Sequence, residues 1–169
     1  LDPTFKLVTN SAVPFSVATP IVIYSIGLIK KDSSIKKQAI FIGETFLVNA
    51  FITTALKHTT KRDRPFVTYP DIDQAASAVG SSFPSGHTSL AFATATSLSI
   101  VYPKWYVIAP SFVWAGAVGY SRMHLGVHYS SDVFAGAIIG SGSAYLSYKV
   151  NKWINKKRSK KGQVAHEIM

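Results

Sequence analysis

The stretch FKLVTNSAVPFSVATPIVIYSIGLI (Phe5–Ile29) is 25 residues long and carries a single charge. Four more apolar stretches follow it, at Gln38–Leu56, Ser85–Tyr102, Trp105–Tyr120 and Tyr129–Val150. None alternates apolar and polar residues with the period of two that is typical of strands, so each is predicted to be a helix. At a rise of about 1.5 Å per residue, helices of these lengths approach the thickness of a bilayer. The sequence therefore predicts an all-α, membrane-embedded helical bundle with about five to six transmembrane helices.

Composition narrows the class of protein. The 169 residues fit one domain, and 47% are hydrophobic while only 15% are charged, against about 25% charged in an average soluble domain. The mean hydropathy of +0.20 is moderate, so a soluble all-α bundle stays open as the alternative. The chain has no cysteine, which excludes disulfides, a thiolate nucleophile and cysteine-ligated metal sites.

Small residues and prolines predict details of the helices. Gly136 and Gly140 are four residues apart in the last apolar stretch, a spacing that allows close packing of membrane helices. Pro14 and Pro20 lie inside the first stretch and predict a kinked or partly broken helix there.

The basic residues are distributed unevenly between the two ends of such a bundle. If the stretches span in succession, twelve of the eighteen lysines and arginines lie on one side. These are Lys30, Lys31, Lys36, Lys37, Lys104, Lys149, Lys152, Lys156, Lys157, Arg158, Lys160 and Lys161. The positive-inside rule makes this side cytoplasmic, together with the basic tail 151–169, which is expected to be flexible or to lie on anionic headgroups. Because the basic residues alternate between sides instead of forming one face, nucleic-acid binding is not expected.

Three polar segments fall on the opposite side, each next to an apolar stretch. They are KHTTKRDRP (57–65), SFPSGH (82–87) and SRMHLGVHYSSD (121–132). Lys57, Arg64 and Arg122 are cations suited to a dianionic ligand, and arginine offers paired donors to phosphate oxygens.

The same segments also contain the groups needed for phosphoryl transfer. Ser85 and Gly86 open a predicted helix, whose free N–H groups would bind an anion, and His87 stands beside them as a possible proton donor. His128 and Asp132 are four residues apart, so on a helix they would share a face. The carboxylate would then hold Nδ1–H and leave Nε2 free to attack phosphorus.

The three segments together resemble the motifs of the type 2 phosphatidic acid phosphatase superfamily. The first pattern, Lys-x6-Arg-Pro, is matched by Lys57, Arg64 and Pro65. The second, Pro-Ser-Gly-His, is matched by residues 84–87, that is Pro84, Ser85, Gly86 and His87. The third, Ser-Arg-x5-His-x3-Asp, is matched by Ser121, Arg122, His128 and Asp132. The resemblance implies one phosphatase domain over 1–169 that hydrolyses a phosphate monoester or pyrophosphate on a membrane lipid, without a metal or other cofactor.

The resemblance also implies a role for each residue. His128 would be the nucleophile that becomes phosphorylated, Asp132 would orient it, and His87 would protonate the leaving oxygen. The phosphate oxygens would be held by Lys57, Arg64, Ser85, Gly86 and Arg122. Membrane members of the family typically have six helices, so a first helix is expected upstream of Leu1. We expect an integral protein of a bacterial inner membrane, with its site facing the periplasm or exterior and its C-terminus in the cytoplasm.

Two other functions stay open at this stage. One is a vanadate-dependent haloperoxidase of the same superfamily, and the other is a non-catalytic lipid-phosphate binder or transporter. Lys61 and Arg62 are interpreted as substrate-steering or merely solvated cations. His58 and His124 are interpreted as loop or packing residues, and Glu44 and Asn49 as residues that face a neighbouring helix.

Overall fold

The part of the chain that the structure describes folds into five long helices and one short helix. The computed structural model describes residues 2–72 and 74–167, with side chains described as far as residue 157. The helices are α1 (Asp2–Ile29), α2 (Ser33–Thr60), α3 (Pro65–Thr68), α4 (Gly86–Val101), α5 (Trp105–His124) and α6 (Ser130–Glu167). Within these residues no strand occurs, so the prediction of an all-α bundle is confirmed.

The exterior of the bundle is more apolar than its interior. Large side chains face outwards along α2, α5 and α6, where Leu47, Phe51, Val113 and Phe134 are each 70–75% exposed. The buried residues, by contrast, are mostly small or hydroxylated, as along α4. An exterior of this kind is stable in a lipid bilayer and would be a large exposed apolar surface in water.

Two segments are long and apolar enough to cross a membrane by length and composition. These are Asp2–Ile29 and Ser33–Thr68, with mean hydropathies of 1.9 and 1.6 in their most apolar windows. The other helices of the described chain are shorter or more polar, and α4 carries several hydroxyl-bearing residues that are buried in the bundle. The bundle is a membrane-embedded fold, as predicted.

Helices α4 and α6 approach each other closely at two glycines. A Cβ placed on Gly136 would lie 2.7 Å from the carbonyl oxygen of Ser85, and one on Gly140 would lie closer still to that of Ser89. No side chain fits in this contact, so the predicted close packing at Gly136 and Gly140 is confirmed. The contact fixes the N-terminus of α4 against the first turns of α6.

Polar groups inside the bundle are paired across helices. Ser89 on α4 donates to the side-chain oxygen of Asn49 and lies 3.2 Å from Thr53, both on α2. Asn151 on α6 donates to the Glu44 carboxylate at 2.6 Å. Glu44 and Asn49 therefore face neighbouring helices, as their positions in an apolar stretch indicated.

Two details differ from the sequence prediction. Helix α1 is continuous from Asp2 to Ile29 with Pro14 and Pro20 inside it, so of the two predicted outcomes, a kinked or a partly broken helix, the partly broken one is wrong. Helix α6 continues past Val150 to Glu167, because the residues that follow Val150 are polar but include no proline. The predicted stretch captured only the apolar part of that helix.

Candidate active site

The three polar segments meet at one end of the bundle. They come from the C-terminal end of α2, the N-terminal end of α4 and the loop between α5 and α6. The loop before α4 lies at the same end of the bundle. The backbone ties these pieces together, since Ser85 N–H donates to Asp132 O at 3.0 Å and Ser82 N–H donates to Arg62 O at 2.8 Å. The loops rich in lysine lie at the other end of the helices.

His128 and Asp132 are in contact, but not along one helix face as predicted. His128 precedes α6, which begins at Ser130, so only Asp132 is helical. Asp132 Oδ2 accepts from the backbone N–H of Tyr129 at 3.0 Å, and this capping contact turns the chain so that His128 Nδ1 lies 3.5 Å from Oδ2. The expected pair is therefore present, built by a helix N-terminus and not by i, i+4 spacing.

The tautomer of His128 follows from its neighbours. An arginine N–H can only donate, and NH1 of Arg64 lies 3.3 Å from His128 Nε2. Nε2 is therefore the acceptor, and the proton belongs on Nδ1, which faces the carboxylate of Asp132. Ser82 completes the arrangement by donating to Asp132 Oδ2 at 2.5 Å.

The imidazole of His128 is neutral at physiological pH. Burial lowers the pKa of His128 to about 4, opposed by the hydrogen bond to Asp132 and assisted by the nearby charges of Arg64, Arg122 and Lys57. A neutral ring with its proton on Nδ1 has a free lone pair on Nε2. This is the form in which histidine acts as a nucleophile.

Arg64 is held more firmly by the protein than a simple anion-binding residue would be. Its guanidinium donates to three carbonyl oxygens, those of Val79 and Gly80 in the loop before α4 and that of Val127 beside His128, each at 2.9 Å. It thus fastens two loops together, and it reaches Nε2 of His128 with the same NH1. Few of its donors remain for a ligand, so its predicted paired contact with phosphate needs a local rearrangement.

The N-terminus of α4 presents free donors next to a cation. Ser85 occupies the N-cap position as predicted, but its hydroxyl contacts Thr88 at 2.8 Å and does not cap the helix. Among the described residues no acceptor meets the N–H groups of Gly86 and His87. Lys57 lies beside Gly86, with Nζ donating to Ser81 O at 2.7 Å, so positive charge and free N–H groups face the same space.

The third cation and the second histidine border the same space. Arg122 is buried at the end of α5, where NH1 donates to Thr9 of α1 at 3.0 Å and Nε has no partner among the described side chains. His87 lies in the first turn of α4, within range of the charges of Arg122, Arg64 and Lys57. The structure thus brings all eight predicted site residues to one end of the bundle.

Two residues of this cluster were missed or misread in the sequence. Ser82 contacts the Asp132 carboxylate. It lies in the segment SFPSGH, but no sequence pattern predicted a role for it. Arg62 was interpreted as a steering or solvated cation, but its NH1 donates to Asp132 Oδ1 at 2.8 Å. No spacing rule links residue 62 to residue 132, so only the fold could show this contact.

His124 was interpreted as a packing residue, and it pairs with Asp2 at 3.0 Å.

Residues 38–156 match the sequence model of the PAP2 superfamily, well over half of the chain. The chain belongs to the PAP2 superfamily. An undecaprenyl-diphosphatase of Sulfolobus acidocaldarius is 39% identical over 69 residues, which are 41% of this chain and 33% of that relative. The chain thus matches about a third of the length of that curated protein.

Solved structures share the whole fold. Aquifex aeolicus LpxE is 28% identical with a TM-score of 0.77, over 88% of this chain and 86% of that one. A transmembrane PAP2-type phosphatidylglycerolphosphate phosphatase from Bacillus subtilis has a TM-score of 0.73, over 91% of this chain and 78% of that one. At 24% identity, the second shows the fold alone. Within the described residues, no group of three or more His, Asp or Glu side chains could hold a metal ion.

Proposed function

We propose that this chain hydrolyses a phosphate monoester or pyrophosphate on a membrane lipid, through a phosphohistidine at His128. The observation that carries the proposal is the environment of that ring. It is buried and neutral, with Nδ1 facing Asp132, Nε2 next to Arg64, and the charges of Arg122 and Lys57 close enough to lower its pKa. A neutral nucleophile among fixed cations is suited to attack a negatively charged phosphoryl group.

The reaction has two displacements at phosphorus. In the first, the Nε2 lone pair forms a bond to phosphorus while the bond from phosphorus to the lipid oxygen breaks. His87, which becomes protonated when the anionic phosphoryl group binds beside it, gives its proton to that oxygen. In the second, water attacks phosphorus as the bond to Nε2 breaks, and His87 takes up the proton of the water. Asp132 keeps Nδ1–H in place and stabilises the positive charge on the phosphorylated ring.

The phosphoryl oxygens would be held by donors from three helices. Lys57 and the N–H groups at Gly86 and His87 offer charge and backbone dipoles, and Ser85 offers a hydroxyl. Arg122 contributes from α5. The incoming phosphoryl group would replace the contact between Arg64 and Nε2, which frees an arginine N–H for a phosphoryl oxygen.

A lipid substrate is supported by the cavity beside the site. The cavity has a volume of about 640 Å³, and its lining includes the site cations Lys57 and Arg64. Apolar side chains of α3 and of the loop before α4 also line it, namely Phe66, Val67, Ala78 and Val79. A space lined by both cations and apolar groups matches a phosphate carried on a hydrocarbon chain.

Released phosphate should be measured with purified protein and four lipids: undecaprenyl pyrophosphate, phosphatidylglycerol phosphate, phosphatidic acid and a lipid A phosphate. We expect hydrolysis of at least one, unchanged by EDTA, because cations and helix N–H groups can neutralise the phosphoryl oxygens without a metal. Vanadate should inhibit as a mimic of the transition state.

Each alternative has its own signature in the same assay. A lipid-phosphate binder would retain these lipids without releasing phosphate, and a haloperoxidase would instead oxidise bromide when supplied with vanadate and peroxide. Loss of phosphate release with EDTA, restored by magnesium, would show that a metal takes part. Any of these results would contradict the proposed mechanism.

We propose further that the site faces the periplasm or exterior of a bacterial inner membrane and that α6 ends in the cytoplasm. The lysine-rich loops at the end of the bundle opposite to His128 support this orientation. Because the chain has no native cysteine, single cysteines can report on it. Ser77→Cys in the exposed loop before α4 should react with an impermeant maleimide in intact cells or spheroplasts.

The matched control lies at the other end of the bundle. Ser33→Cys, at the exposed start of α2, should react only after permeabilisation. The reverse pattern would place the site in the cytoplasm and exclude substrates of the outer leaflet.

A further inference from the structure

The side chain of Arg62 contacts Asp132 and two of its neighbours at the start of α6. Its NH1 group has two N–H donors, which reach Ser131 Oγ at 2.7 Å and Asp132 Oδ1 at 2.8 Å. Its guanidinium carbon lies 4.0 Å from the centre of the Tyr129 ring. The side chain is therefore fixed on three residues at the start of α6, Tyr129, Ser131 and Asp132.

The carboxylate of Asp132 is fully enclosed, and each of its oxygens has a different set of partners. Oδ2 accepts from Ser82 and Tyr129 N–H and faces His128, whereas Oδ1 accepts from Arg62. Asp132 is completely buried while Arg62 is 39% exposed. A buried carboxylate is stable in its charged form only when it is paired, and a pair on Oδ1 also sets the rotation of the carboxylate plane.

The backbone of Arg62 ties the same cluster together. Its carbonyl oxygen accepts from Ser82 N–H at 2.8 Å, so Arg62 positions the serine that donates to Oδ2 as well as contacting Oδ1 itself. Lys57 and Arg64 are the other cations near Asp132, but their hydrogen bonds go to loop carbonyls and, for Arg64, also to His128 Nε2. Arg62 alone among the described cations donates to this carboxylate.

We infer that Arg62 is a positioning residue for the reaction: it holds the Asp132 carboxylate in the plane that keeps Nδ1–H of His128 bonded. The inference rests on the proposed function. It differs from a steering role, in which Arg62 would attract the anionic lipid. A positioning residue acts on the rate of the bound complex, whereas a steering residue acts on substrate capture.

Arg62→Gln should lower kcat roughly ten- to a hundredfold with KM nearly unchanged, as expected for a residue that orients a reacting group. Arg62→Lys, which keeps the charge but loses the fork, should lie between Arg62→Gln and wild type. The control is Lys61→Gln, which removes the same charge one residue away, where no contact to Asp132 exists among the described residues. It should leave kcat within about twofold of wild type, as surface substitutions usually do.

A double-mutant cycle separates positioning from general damage. In an Asp132→Asn background, Arg62→Gln should cost less than about threefold in kcat, because the group it positions is already lost. An undiminished loss there, a loss shared with Lys61→Gln, or a rise in KM at constant kcat would overturn the inference.

The hydrogen bond can also be followed without turnover. In protein labelled with ¹⁵N-histidine, the buried Nδ1–H proton of His128 should give a resonance that is protected from exchange with water, identified by its absence in His128→Gln. It should shift upfield or exchange away in Arg62→Gln and stay in place in Lys61→Gln. An unchanged resonance in Arg62→Gln refutes the inference even if no lipid is hydrolysed. Absence of hydrolysis by wild type, with the resonance behaving as expected, refutes the proposed function alone.

Discussion

His128→Ala should reduce kcat by several orders of magnitude on every lipid that the wild type hydrolyses. The methyl group cannot form the bond to phosphorus, and loss of a nucleophile costs far more than loss of a contact. A rapid acid-free quench with ³²P-labelled substrate should trap an acid-labile, base-stable phosphoprotein in wild type. The same quench should trap none in the variant.

The pKa of His128 adds a condition to this result. Since burial lowers the pKa of His128 to about 4, the ring stays neutral above that pH and becomes protonated only below it. The adduct should therefore still form at pH 5.5, where a histidine with an ordinary pKa would be mostly protonated. His124→Ala is the control, because His124 pairs with Asp2 and packs against Phe5 with the two rings tilted, and the site residues do not include it. Normal turnover by His128→Ala would refute the phosphohistidine.

His87→Ala should show a loss that depends on the leaving group. A lipid alcohol leaves poorly without a proton, so its hydrolysis should slow by about 10²–10⁴-fold, the usual contribution of general acid catalysis. An activated aryl phosphate leaves as a stable anion and should be affected much less. The measurement is the ratio of kcat values for the two substrates in wild type and variant.

The same variant also tests the order of steps. If His87 only bound phosphate, both substrates would slow equally and the ratio would not change. With His87→Ala and an aryl substrate, the adduct on His128 should accumulate, because attack by water would lack its base while formation of the adduct would not need an acid. Equal losses without accumulation would remove His87 from the proton transfers.

Much of the fold and site could be predicted because the relevant patterns are local. Five apolar stretches predicted five long helices, and Gly136 with Gly140 predicted the close contact to α4. The three motif segments contained all eight proposed site residues. Each of these signals depends on spacing within one segment, which periodicity and motif reading can detect.

The contacts between segments could not be predicted in this way. His128 and Asp132 meet because Asp132 caps the start of α6, and a helix boundary moved by two residues changes that geometry. Arg62 reaches Asp132 across 70 positions of the chain. Arg64 donates its hydrogen bonds to loop carbonyls. These contacts depend on where the loop before α4 lies in space.

The glycine contact between α4 and α6 has a consequence for protein engineering. The backbone of α4 lies against Gly136 and Gly140, so no change of rotamer can make room for a side chain at either position. The contact between α4 and α6 holds the α4 N-terminus and Asp132 at a fixed separation. The cavity-lining side chains on α3 and the loop before α4 can then be randomised in a directed-evolution library while α4 and α6 are kept constant. Variants with new lipid preferences would then be selected while the positions of the proposed catalytic residues stay unchanged.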